Sequence, residues 1–219
     1  MQPPVHGRSP VKWRSFLPIA TSSPCVVPAF APIVSDAFEH LKRLPEGTNI
    51  ASGEFVVEQN QHPSSVYLLR QGLVKLVYLT PAGRETLLGL RATGWYAGAV
   101  SALVHSPSIY SVKTVTPCIF SRIPAEEFSM KLMQSARMMR HFISTLCNEL
   151  IAQSEQAKSN TGSAEQRLAQ FMSERCIQHP RLKTLDTLPL LKQLEVAQLL
   201  AITPEHLSRL LHKTEVAKQ

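Results

Sequence analysis

The sequence predicts an α+β protein: a small antiparallel β domain, then one long helix, then a closing helix-turn-helix. Three observations carry this. Short apolar runs punctuated by turn residues fill Phe38 to Ile123, an apolar repeat in alternating steps of four and three follows from Leu132, and a capped helix with one polar face begins at Thr203. At 219 residues, 44% hydrophobic and 18% charged, the chain can hold one large domain or two small ones of ordinary globular composition.

Residues 1–35 hold Pro3, Pro4, Pro10, Pro18, Pro24, Pro28 and Pro32 and show no sustained periodicity, so they read as a disordered, Pro-rich extension or a mis-assigned start. The prolines also break any apolar stretch that could serve as a secretory signal. From residue 36 to 125 the runs Gly53–Val57, Val66–Leu69, Leu73–Tyr78, Thr86–Leu90 and Val112–Phe120 read as strands, with Thr80–Arg84 as a turn between two of them. Taken alone, these runs indicate a small β sandwich or barrel.

The stretch Pro124-Ala125-Glu126-Glu127 starts a helix, with proline in the first turn and acids at the positive end of the helix dipole. Residues 126–160 then carry Leu132, Ala136, Met139, Ile143, Leu146, Leu150, Gln153 and Ala157 along one narrow line. So long and narrow a seam suits packing against a parallel copy of itself better than covering a broad core. Gly162 closes the helix and Ser163 caps the next, which is expected to end at His179–Pro180. A linker through Asp186–Pro189 leads into the last two helices of the 161–219 unit.

In that unit Val196, Leu199 and Leu200 form one apolar stripe, and Ala201-Ile202 is a tight connection. Thr203 is an N-cap and Pro204 takes the first helical position. Leu207, Leu210 and Leu211 face inward, whereas Glu205, Ser208 and Arg209 face outward near the start of the helix. Arginine can grip guanine in a bidentate manner, glutamate can accept from the cytosine amino group, and serine can serve either, as a helix in the major groove requires. A solvated helical hairpin would show the same spacing. The connection, the cap and the polar trio together favour DNA recognition.

Charge adds less. The net charge of +7 favours a polyanionic partner, yet Arg8, Lys12 and Arg14 of the extension supply much of the excess. No apolar run approaches the ~20 residues of a transmembrane helix, so no membrane association is expected. Cys25, Cys118, Cys147 and Cys176 have no metal or disulfide spacing and fit a reducing cytoplasm. Glu58, His62, Glu85 and His105 come with no nucleophile motif, phosphate loop or metal spacing, and the chain is not expected to be an enzyme.

The run Thr203–Leu211 resembles the recognition helix of the Crp/Fnr superfamily, whose Fnr branch carries Glu-x-x-Ser-Arg. The resemblance extends from about residue 38 to 213 and includes the punctuation by Gly53, Gly72, Gly83, Gly94 and Gly98. It implies an antiparallel β-roll like a cyclic-nucleotide-binding domain, followed by a long dimerisation helix and a helix-turn-helix. It further implies a cytoplasmic homodimer on a palindromic, TTGA-like promoter site, working with RNA polymerase. Glu205, Ser208 and Arg209 would contact bases, with Thr203, His206, Lys192 and Lys213 on the backbone or in support.

The departures matter as much. Where nucleotide-binding relatives carry a ribose-holding glutamate and a phosphate-holding arginine, this chain has Ala99 and Ser108, the latter followed by bulky Ile109 and Tyr110. A phosphate buried without its cation is heavily penalised, which argues against cyclic AMP in the usual manner. Gly98, Ala99, Ser108, Ile109 and Tyr110 are the expected surroundings of any other effector. The scattered cysteines argue against an iron–sulfur cluster, and the lone His62 and His105 do not suffice to predict haem. The β-hairpin wing that normally follows the recognition helix finds no matching strand pair in 212–219. A dimeric small-molecule-binding module with a degenerate helix-turn-helix is the alternative.

Overall fold

The computed structural model describes residues 47–174, 176–179, 182–186 and 190–216; the Pro-rich extension lies outside them. Two four-stranded sheets are stacked as a roll. One has the order β1 (Thr48–Ile50), β8 (Cys118–Pro124), β3 (Ser65–Gln71), β6 (Tyr96–Ala97); the other β2 (Phe55–Val57), β7 (Ser111–Thr114), β4 (Leu73–Leu79), β5 (Glu85–Ala92). Every pairing is antiparallel. The expected run 112–120 is in fact two strands on different sheets. The turn through Thr116-Pro117 divides them, since proline cannot donate to a ladder.

The period-two alternation explains why strands β3 and β4 read as almost continuously apolar. On β3, Leu69 faces the space between the sheets, with Val74, Leu76, Trp95 and Phe120, while Val66 and Leu68 face the helices on the outside. The two strands meet at Gly72, whose φ is +108°. A Cβ there would lie 2.5 Å from Cys118 Sγ and 2.8 Å from Pro117 O, so only glycine fits.

Helix α1 (Ala99–Leu103) leaves the roll after Gly98, and α2 (Ala125–Gln134) and α3 (Ala136–Ser159) follow β8. They cover the first sheet through Phe128, Leu132, Met138 and Phe142, and the rings of Phe128, Phe142 and Tyr96 cluster with centroids 5.6–5.7 Å apart. The expected single helix is thus two. Ser135 adopts an extended backbone (φ −119°, ψ 100°), and its hydroxyl accepts the Met138 N–H at 3.2 Å as a fresh N-cap. Leu132 is only 4% exposed beneath the roll, so it belongs to the core and leaves the predicted seam.

Helix α4 (Ala164–Glu174) starts on a reciprocal capping box: Ser163 Oγ accepts from Gln166 N at 3.2 Å, and Gln166 Oε1 from Ser163 N at 2.8 Å. It stops before His179. Strands β9 (Cys176–His179) and β10 (Leu182–Asp186) pair antiparallel, where the sequence suggested a helix running to His179–Pro180; the expected linker beyond Asp186 lies outside the described residues. Helices α5 (Gln193–Leu199) and α6 (Pro204–Val216) complete the chain. Among the described residues no helix is long and apolar enough to cross a membrane.

Candidate nucleic-acid interface and sensor pocket

Helices α5 and α6 are built as the capping residues dictate. The turn between them passes through Ala201 in a left-handed conformation (φ +50°), and the Ile202 N–H returns to Ala197 O at 3.0 Å. Thr203 Oγ1 accepts the His206 N–H at 3.2 Å, which is the N-cap read from the sequence. Leu207, Leu210 and Leu211 are buried with Val196, Leu199, Leu200, Leu168 and Phe171. Glu205, Ser208 and Arg209 are all exposed on the opposite side. Thr203, Lys192 and Lys213 are exposed too, and His206 is half-buried beside them. The exposed Glu165 carboxyl is held below the usual range, chiefly by its own backbone N–H and the Ser163 hydroxyl, then by Lys213 and His206.

The helix pair also docks on the roll, which sequence reasoning missed. Gln198 lies along the open edge of β5: its Nε2 donates to Glu85 O at 3.1 Å and its Oε1 accepts the Leu87 N–H at 2.9 Å. The side-chain amide so completes an edge strand. Glu195 accepts from Lys75 Nζ at 2.5 Å through one oxygen and from the Lys192 N–H at 2.8 Å through the other. Leu73, Leu87 and Leu90 of the roll share the apolar core of the helix pair. The docking uses α5 and leaves the polar face of α6 open.

A second site lies between roll and α3. Gly98, Ala99, Ser108 and Tyr110 line it with Trp95 and Glu149, whereas Ile109 does not: it is 73% exposed, and its neighbours turn inward instead. Gly98 (φ +77°) allows the chain to pass close to Pro63. Ala99 and Ser108 are buried, and the Ser108 hydroxyl donates to Tyr110 O at 2.6 Å. The remaining free space is about 20 Å³, room for a single water.

The cation that holds the Glu149 wall of this site is Arg91, which the sequence did not single out. Its Nη2 and Nε donate to Glu149 Oε1 at 2.6 and 3.2 Å, and Nη1 to Leu90 O at 2.8 Å. Trp95 Nε1 donates to Glu149 Oε2 at 3.1 Å. Burial first, and then the Glu149 charge, pushes the Tyr110 hydroxyl up to about 12, with Arg91 opposing. Burial also raises Tyr96 and Cys118. These residues do not fit a cyclic nucleotide. Alanine cannot hold ribose, Ser108 is already engaged, the buried arginine has its carboxylate, and the space is a water's.

The outer line of α3 is the last exposed feature. Ile143, Leu146 and Leu150 are 50%, 36% and 65% exposed, in line with exposed Gln153 and Ala157; Ala136 is exposed and Met139 is half-buried against the roll. Among the described residues, no cluster of three or more His, Cys, Asp or Glu could hold a metal.

Residues 48–135 match the cyclic nucleotide-binding domain family. The chain is similar to the transcriptional activatory protein AadR of Rhodopseudomonas palustris, 27% identical over 82% of this chain and 75% of the relative. It is also similar to the nitrogen fixation regulation protein FixK of Bradyrhizobium diazoefficiens, 27% identical over 81% of this chain and 74% of the relative. Among solved structures it shares its fold with the c-di-GMP responsive global regulator CLP of Xanthomonas campestris (TM-score 0.66, 17% identity, 84% of this chain and 93% of that one). The relatives are named as regulators rather than enzymes.

Proposed function

We propose that this chain, whose likenesses support the Crp/Fnr family of transcription regulators, is a sequence-specific DNA-binding regulator that works as a homodimer. The single observation that carries the reading is the division of α6 into a buried leucine face and an open face bearing Glu205, Ser208 and Arg209. In this reading α6 lies in the major groove. Arg209 reads guanine, Glu205 accepts from a cytosine amino group, and Ser208 bonds a neighbouring base. Thr203, His206, Lys192 and Lys213 hold the backbone or support the helix, since phosphate contacts fix register while base contacts specify.

The seam Ile143, Leu146, Leu150, Gln153 and Ala157 packs against its copy, with Ala136 and Met139 at the roll end. Two α6 helices then meet two half-sites of a palindrome of the TTGA kind. That arrangement lets the dimer act on RNA polymerase at a promoter. Binding to a panel of duplexes tests it. The expected result is tighter binding to TTGA-type palindromes than to scrambled duplexes by at least ~10³-fold at physiological salt. Equal affinity for both overturns the reading.

A further inference from the structure

The pocket between roll and α3 poses a chemical question: one of its walls, Glu149, is held from behind by a buried guanidinium, that of Arg91. Arg91 exposes only 7% of its side chain. Such a cation needs an anion within reach, because an unpaired charge taken out of water is strongly destabilising. Here the anion arrives on the chain itself. Glu149 stands on α3, 58 residues from Arg91, between Leu146 and Leu150 of the exposed seam. Both its oxygens are used, one by Arg91 and one by the Trp95 indole. The same turn of helix therefore offers its apolar side to solvent and its carboxylate to the roll.

We propose that Glu149 is a built-in ligand of this pocket: its carboxylate occupies Arg91 and Trp95 in place of a small free anion and fastens the long helix to the roll. The geometry matches what a bound monocarboxylate would make: a two-nitrogen contact from a guanidinium on one oxygen, an indole N–H on the other, and Tyr110 among the lining groups. With the carboxylate in place the pocket has room for a water and no more. The carboxylate thus couples roll to helix without an anion from solution, and Arg91, Trp95 and Tyr110 form a carboxylate site that becomes available when Glu149 is shortened. That the helix so fastened is the dimer helix rests on the function proposed above.

Chemical rescue tests this in the full-length chain. The sequence has two tryptophans, Trp13 and Trp95, so a Trp13→Phe background leaves Trp95 as the reporter. Glu149→Ala is expected to shift Trp95 emission and lower the thermal unfolding midpoint by about 10 °C, as loss of one member of a buried pair should. Titrating acetate or formate should restore both signals saturably, and chloride at equal ionic strength should restore neither. If acetate acts no better than chloride, or the midpoint of Glu149→Ala equals that of the parent, the proposal is overturned. Should Glu149→Ala fail to fold, Glu149→Gln decides. An altered Trp95 emission and lowered midpoint support the held carboxylate, and parental behaviour overturns it. None of these readings uses DNA. A parent chain that ignores DNA sequence would sink the proposed function and leave the Glu149 result standing, and failed rescue in a chain that still selects its sites would do the reverse.

Discussion

Helices α3 and α6 are both amphipathic, and both press one side into the molecule, but they show water opposite chemistries. α3 turns out Ile143, Leu146 and Leu150, apolar side chains 36–65% exposed; α6 turns out Glu205, Ser208 and Arg209. The contrast separates two kinds of partner. Apolar side chains left open in a narrow line gain by removal from water, about 25 cal/mol per Å², so they call for a protein surface of the same shape. A polar trio at the start of a helix gains nothing from an oily partner. It suits a hydrated surface carrying its own donors, acceptors and negative charge.

The largest effect should come from breaking α3. Leu150→Asp places a charge in the middle of the seam without disturbing the core, since Leu150 is mostly exposed. Native mass or sedimentation should show a folded monomer, with affinity for a palindromic duplex reduced roughly 100-fold or more because the two half-sites are no longer held together. An unchanged dimer would remove the seam from the interface. Arg209→Ala sharpens the other side. It should leave the dimer and its stability unchanged, cost about 1–3 kcal/mol of binding, and relax preference at one base pair. If binding to all sequences weakened equally, Arg209 would be a phosphate contact. The smallest effect belongs to the scaffold beneath that face. Thr203→Ala removes the hydroxyl that caps His206 N–H and should lower stability by about 1 kcal/mol in a denaturant titration. No change would mean that the cap contributes nothing to α6.

Legibility in the sequence followed the range of the interaction. Caps act over three residues, so Ser163, Thr203 and the inner leucines of α6 could be read directly, and the structure has them so placed. The strands of the roll were visible as apolar runs because both faces of the central strands are covered. What failed were places where local pattern and tertiary contact diverge. The Leu132 step fits the heptad, yet the roll claims that side chain, and Ser135 breaks the helix to let it. The run 112–120 looks like one strand until Pro117 sends its halves to different sheets. The β9–β10 strand pair hid behind the expectation of a helix end. Ile109 was grouped with its pocket neighbours by adjacency alone, but on the bend before β7 it stands 73% exposed.

Long-range polar pairs were beyond reach for a related reason. Lys75 and Glu195 are 120 residues apart, Arg91 and Glu149 58, and no sequence pattern couples them. Yet these pairs fasten the long helix and the closing helix pair to the roll. Glu149 ties α3 to the roll from within, and Gln198 with Glu195 ties α5, and through it α6, to the β5 edge. Ala99 and Ser108 were legible as departures from a nucleotide cassette, whereas the network of Arg91, Trp95 and Glu149 beside them was not.

In the proposed function two copies of α6, set by the α3 seam, read two related half-sites through Glu205, Ser208 and Arg209. Footprinting on the DNA upstream of the chain's own gene addresses it most directly, run with the parent protein and Arg209→Ala side by side. The parent should protect two inverted half-sites about one helical turn apart, roughly 10 base pairs centre to centre, and the variant should protect them more weakly. Uniform coverage without bounded sites, or protection identical for parent and variant, would contradict it.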